Sequence, residues 1–392
     1  MKITPAVANI FAVLLGNYTV KKFDAVGKVD KVLLVSVLTL VGIGLLFVYS
    51  ASMYTAEISY GNKYFFLFKQ LTGAAVGIVA MFAVSRVNTD FLKKFWIAGV
   101  IVSAVLLGCV FIPGLGIENY GAKRWIGFGS FSFQPSEIAK FAFVLFCAVY
   151  MSKKDMAKFS NSLAVVGVGV LFCGLIIAEP NMSITMCVAM LMVIMLFLGG
   201  MKWKNFLFLL APIVLAVPVL IFAEPYRLQR LLAFLDPWAS PKDEGYQLIQ
   251  SLYALGSGGF FGVGLFNSRQ KYRFLPFAES DFIFSVIGEE TGLLGCMIVF
   301  ALFAVVVVRG VRIAANSRDK FRCYLAGGIS AVIAVQTLLN FAVVTGSIPP
   351  TGLPLPFISY GGTSLVVFMS AVGVLLNLSK DVLKTEGALW IT

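Results

Sequence analysis

The chain has 392 residues, 59% of them hydrophobic and 13% charged, with a mean hydropathy of +0.92. This balance excludes a soluble globular domain and reads as an integral membrane protein. Histidine is absent, so there is no His general base or His-bound metal, and proton transfer falls to Asp, Glu, Lys or Tyr.

In chain order, residues 1–30 hold only a short apolar stretch, "AVANIFAVLLG", too short to span a bilayer. They read as a cytoplasmic N-terminal extension. Apolar runs long enough to cross about 30 Å of hydrocarbon then recur near 31–52, 64–85, 95–113, 134–151, 162–178, 183–200, 205–223, 281–308, 324–347 and 357–378. Lipid cannot satisfy open backbone groups, so these runs must be helices. The expectation is an all-α, polytopic membrane domain over 31–380 with about ten transmembrane helices, followed by a cytoplasmic tail, 381–392. With the N-terminus inside, 20 of the 31 Lys and Arg residues fall on cytoplasmic segments, which places both termini in the cytoplasm. The net charge of +12 then reflects a basic inner face against anionic membrane lipid, with no call for nucleic acid. The six cysteines lie in spans or at an inner boundary, where they act as small apolar fillers and form no disulfide.

The long connection 224–280 falls outside. Its "YRLQRLLAFLDPW" and "EGYQLIQSLYALGSGGFFGVGLF" carry apolar residues at helical spacing, predicting short amphipathic or re-entrant helices at the outer surface. Three polar groups share that side. Lys123, Arg124 and Trp125 precede the fourth span, which opens with Pro135, a good first-turn residue. Glu137 and Lys140 stand at i, i+3 on one face of that helix, with Lys140 roughly 7 Å below its start. They are either a packing salt bridge or part of a site. "NSRQKYRFLP" puts Arg269, Lys271 and Arg273 at alternate positions, which in an extended segment face one way and would suit a phosphate; a headgroup anchor is the bland alternative.

The stretch "FAESDFIFSVIGEETGLLG" sets Glu279, Asp281, Glu289 and Glu290 at the head of an apolar helix. Asp281 to Val308 as one helix would be about 42 Å long, so its first turns stand in an outer cavity or the helix tilts. Ser280 or Asp281 would serve as an N-cap, and capping competes with chemistry as the reading of Asp281.

Taken together and in order, "VDKVLLVSVLTLVGIGLLFVYSAS", "GAKRWI", "FQPSEIAK", "EPNMS", "FLDPW", "GYQLIQSLYALGSGG", "SDFIFSVIGEETGLLG" and "TGLPLPFISYGGTSL" resemble the SEDS family (FtsW, RodA and SpoVE), most closely its FtsW and SpoVE branch. The resemblance covers about residues 29–380. It implies a peptidoglycan glycosyltransferase that polymerises lipid II, an undecaprenyl-pyrophosphate-linked disaccharide-peptide, outside the cytoplasmic membrane during division or sporulation. It further implies a class B penicillin-binding protein and other division proteins as partners. The family's essential acid matches Asp281; its cavity residues match Arg124 and Trp125, and its buried pair matches Glu137 and Lys140. Many members carry His where Glu279 stands, so Glu279 is not required for proton transfer in this chain.

On this reading Asp281 is the general base, and Lys123, Arg124, Lys140, Arg269, Lys271 and Arg273 are candidates for the diphosphate. Trp125 stacks on a sugar or lipid tail, and a divalent cation (Mg or Mn) on the acids is a candidate cofactor. A lipid II flippase and a noncatalytic division scaffold are the competing readings.

Overall fold

The computed structural model describes residues 28–119, 122–128, 131–222 and 225–382. Most of the expected N-terminal extension and nearly all of the tail lie outside the described residues.

Among the described residues twelve helices form: α1 (Lys31–Tyr60), α2 (Phe65–Val84), α3 (Thr89–Cys109, opening on a short tight turn), α4 (Pro135–Lys153), α5 (Phe159–Ala178), α6 (Met182–Leu198), α7 (Trp203–Phe222), α8 (Pro225–Leu235), α9 (Tyr246–Gly258), α10 (Ile283–Ala315), α11 (Lys320–Val344) and α12 (Gly362–Ser379). Among the described residues eight helices are long and apolar enough to cross a membrane, and α6 is a shorter apolar one. The starts follow sequence chemistry. Asp30, Asn181 and Asp319 cap α1, α6 and α11 with side-chain oxygens, and Pro135 occupies the first turn of α4, where its missing N–H costs nothing.

The helices form an inner group and an outer ring. Of the apolar window of α4 and of α11, 67% is buried in protein, against 11% for α3. Lipid is as apolar as a leucine side chain, so close backbone approach rather than the hydrophobic effect holds such helices together. The pairing of α2 with α12 uses this device: a Cβ added at Gly73 would stand 3.2 Å from the Cα of Gly362, and one at Gly77 would be 2.5 Å from the Met369 sulfur.

Two features depart from the expected helices. Between α3 and α4 lies a three-stranded antiparallel sheet, β1 (Gly116–Asn119), β2 (Ala122–Phe128) and β3 (Phe131–Phe133). And α10 is not one straight helix: Gly292 has φ 68° and ψ −165°, a conformation open to glycine. The freed backbone groups are taken by the Gly-rich loop after α9. Val263 N–H donates to the Glu289 carbonyl at 2.9 Å and Gly264 N–H to Glu290 at 3.1 Å, while Leu293 N–H donates to Gly259 at 2.9 Å. A break at membrane depth is tolerated when protein satisfies it in this way. The piece after the break, Leu293 to Ala315, is roughly 34 Å long, close to one bilayer thickness.

Candidate active site

Asp281 sits in the turn that leads into α10, and it does not cap that helix: the cap position is Phe282, with no side-chain cap bond. The capping alternative is therefore removed. Instead, the backbone around Asp281 is tied to the Pro-rich segment between α11 and α12. Asn340 Nδ2 donates both to the Asp281 carbonyl (2.8 Å) and to the Leu353 carbonyl (2.7 Å). Ser359 Oγ donates to the Ser280 carbonyl, and Tyr360 N–H donates to the Glu279 carbonyl at 2.9 Å. Both segments contain a non-glycine residue in the left-handed region, Phe277 (φ 56°) and Phe357 (φ 65°), strain that survives only when its surroundings over-determine it. Gly352, at φ 70°, leaves the space the acid needs, for a Cβ there would be 3.1 Å from Asp281 Oδ2.

Burial pushes the Asp281 carboxyl up to about 6, Glu279 adds to the rise, and Arg124 and Arg230 oppose it. Burial raises Glu279 as well. Arg124 reaches this field from β2. The register pairs Ile117 with Trp125 and Glu118 with Lys123, so Arg124 is the extra residue of a β-bulge, the device that re-aims a side chain. Its Nε donates to the Glu179 carbonyl at 3.4 Å and its Nη2 donates to the Pro180 carbonyl. Arg230, on α8, donates to the Pro350 carbonyl at 3.1 Å.

Beneath this layer Glu137 and Lys140 are fully buried and paired at 2.9 Å. Lys140 also donates to Gln336 Oε1, and Ser364 Oγ donates to Glu137 at 3.1 Å. Gln336 Nε2 in turn donates to the Pro354 carbonyl at 2.9 Å. Gln336 and Asn340 are four apart on α11, one face of a helix, so the pair is coupled through α11 to the loop beside Asp281. Lys140 has no surface to offer a diphosphate; it holds the floor of the site.

The remaining candidates separate. Lys123 is exposed and Trp125 half-buried on the sheet. Residues 269–274 form turns rather than an extended segment, so Arg269, Lys271 and Arg273 do not share a face. Arg269 and Arg273 are exposed, whereas Lys271 is 1% exposed and donates to the Phe266 carbonyl. Burial lowers its ammonium, with Glu290 and Glu289 opposing. Glu289 and Glu290 are buried about 12 Å along α10 from Asp281. There Glu289 accepts from Ser268 Oγ and from the backbone N–H of Arg269 at 2.9 Å, and Glu290 accepts from Ser50 Oγ at 2.5 Å. They latch the loop onto the broken helix and stand apart from the acid.

Sequence reasoning missed Arg230 and the buried amides Gln70, Gln336 and Asn340. The amides carried a signal in principle, since uncharged polar residues inside apolar spans seek partners across helices.

Among the described residues no three acid, His or Cys side chains gather to hold a metal ion.

Residues 31–384 match the profile of the FtsW/RodA/SpoVE family, described as cell cycle protein. The chain is 39% identical over 355 residues to stage V sporulation protein E of Bacillus subtilis (strain 168), covering 90% of this chain and 97% of that protein. It is 40% identical over 356 residues to a probable peptidoglycan glycosyltransferase FtsW of Trichlorobacter lovleyi, covering 89% and 93%. Its fold matches a chain from the structure reported as structural coordination of polymerization and crosslinking by a peptidoglycan synthase complex, with TM-score 0.76, 26% identity and 90% and 98% coverage. It also matches the crystal structure of the Thermus thermophilus rod shape determining protein RodA, with TM-score 0.68, 22% identity and 91% and 98% coverage.

Proposed function

The chain belongs to the FtsW/RodA/SpoVE family and is a multi-pass peptidoglycan glycosyltransferase of the cell membrane, and from that premise we propose that it polymerises lipid II at the outer membrane surface with Asp281 as general base. The observation that carries the reading is one half-buried carboxyl, raised to about 6 and within the electrostatic reach of two arginines, Arg124 and Arg230. A base of that pKa is ionised at neutral pH yet basic enough to accept a proton.

Glycosyl transfer needs a proton removed from the acceptor hydroxyl as it attacks the anomeric carbon, and stabilisation of the departing diphosphate. Asp281 takes the proton; Arg124 and Arg230 receive the developing phosphate charge. Direct displacement inverts the anomeric centre. A divalent cation held by Asp281, Glu279 and the phosphates would supply further charge neutralisation. Trp125 offers its ring to a sugar or to the lipid tail. A class B penicillin-binding protein is the partner we propose, in keeping with the synthase complex whose chain shares this fold. The orientation follows the basic residues: a cysteine at exposed Asp243 reacts with an impermeant thiol reagent from outside, and one at exposed Arg318 does not.

The test is Asp281→Asn assayed with labelled lipid II and the partner. The variant inserts and folds while polymer synthesis falls by roughly 10² to 10⁴-fold. A folded variant that polymerises near the wild-type rate would move the base elsewhere.

A further inference from the structure

Glu179 has no part in the mechanism above, yet it is the most conspicuous ionisable group near it. It closes α5 as the C-cap residue and is fully buried, and neither carboxyl oxygen has a hydrogen-bond partner. A buried carboxylate without a partner is so costly that the group holds its proton instead. The helix end adds to this, because the negative end of the α5 dipole disfavours an anion. The start of α6 offers little relief, since Asn181 already caps it by accepting from Ile184 N–H.

The neighbours narrow what can answer Glu179 if it ionises. Helix α6 and residues Trp96–Cys109 of α3 contain no charged side chain. On α4, Glu137 and Lys140 are matched to each other, to Gln336 and to Ser364. The cation acting on Glu179 is Arg124, the same guanidinium that acts on Asp281 and that already grips the carbonyls of residues 179 and 180.

We propose that Glu179 is a positioning residue that must stay protonated, because its ionisation draws Arg124 into an ion pair and away from the substrate diphosphate. Arg124 thus stands between two carboxyl groups in opposite protonation states. With Glu179 neutral, the guanidinium faces Asp281 and an incoming diphosphate. When Glu179 gives its proton to solvent, the buried carboxylate takes the nearest cation in a charge-assisted pair, and substrate must compete for it. Burial places this change at about 8, with Arg124 opposing the rise. The inference rests on the reading of Arg124 as a diphosphate ligand.

The experiment is the pH dependence of KM and kcat for lipid II polymerisation by the full-length protein with its partner, in wild type, Glu179→Gln and Arg124→Lys. The wild-type KM rises above about pH 8, by roughly tenfold per pH unit, while kcat holds. Glu179→Gln, which mimics the protonated form, keeps wild-type KM at neutral pH and loses the alkaline rise. A rise that persists in Glu179→Gln overturns the proposal. Arg124→Lys reports on the underlying reading: an unchanged KM there means that Arg124 does not bind the diphosphate, whatever Glu179 does. Infrared spectroscopy of the wild type supplies a readout free of activity. A protonated carboxyl C=O band present at neutral pH should vanish near pH 8, and its absence at neutral pH would overturn the proposal.

Discussion

The two ends of α10 use the same residue types to opposite effect. At the far end Arg309 pairs with Asp30 at 2.7 Å, and Asp30 also caps α1 by accepting from Leu33 N–H at 3.0 Å. Nearby, Arg322 pairs with Asp319 and lies 3.5 Å from both Asp90 and Asp381, while Lys93 meets Asp90 at 2.6 Å. Each of these four acids has a cation, and most of these groups keep contact with solvent. At the near end Asp281 and Glu179 are pushed up by burial. Their arginines spend hydrogen bonds on backbone carbonyls, and buried polar atoms of Glu179, Asn340 and Thr351 lack partners. Isolated unpartnered atoms occur elsewhere too, Arg322 Nε and Glu290 Oε2 among them, but at the near end both oxygens of one buried carboxyl, Glu179, are open, and a group left so calls for an explanation beyond holding helices together.

The comparison breaks most sharply at the buried pair. Lys140→Met leaves Glu137 buried without its cation, at a cost of about 3–5 kcal/mol. Folded yield should drop in a thermal-stability assay, and the double variant Glu137→Gln/Lys140→Met should recover it. If the recovered protein polymerises at the wild-type rate, the pair is packing alone. A smaller effect is expected at Gly352. Alanine there must adopt φ 70° and brings its Cβ to 3.1 Å from Asp281 Oδ2, so we expect polymerisation to fall about 10 to 100-fold through misplacement of the acid, with insertion unchanged. The smallest effect belongs to the far end. Arg322→Ala should leave the polymerisation rate unchanged and lower thermal stability by about 1 kcal/mol or less per lost pair, a loss that shrinks in high salt.

Much of this contrast was legible in the sequence. Apolar runs located the spans, and charged residues inside or beside them, Glu137, Lys140 and Asp281, singled themselves out because charge in a membrane needs a reason. What escaped depended on local backbone geometry. Gly292 reads as a tolerated glycine in a helix until the loop at residues 259–264 is seen completing its hydrogen bonds. The bulge at Arg124 depends on cross-strand register, which a short polar loop does not encode by periodicity. Alternation put Lys271 with its neighbouring arginines on the assumption of extended backbone, and turns cancelled it. Gln70, Gln336 and Asn340 carry no charge to draw attention, although they tie the loop of residues 350–361 to the core.

The acid limb of the polymerisation rate tests the central claim, that Asp281 is an ionised base rather than a structural acid, most directly. Its folded value of about 6 lies above the ordinary aspartate value of 3.8. Below 3.8 the proton is bound in folded and unfolded states alike. Between 3.8 and about 6 the folded state holds the proton more tightly, so the stability that this group contributes is lost as pH rises through that window. Asp281→Asn should therefore be at least as stable as wild type at neutral pH. The wild-type rate should climb with pH through about 6 and then level off, and the residual rate of Asp281→Asn should show no such limb. A limb at the same pH in Asp281→Asn would contradict the assignment.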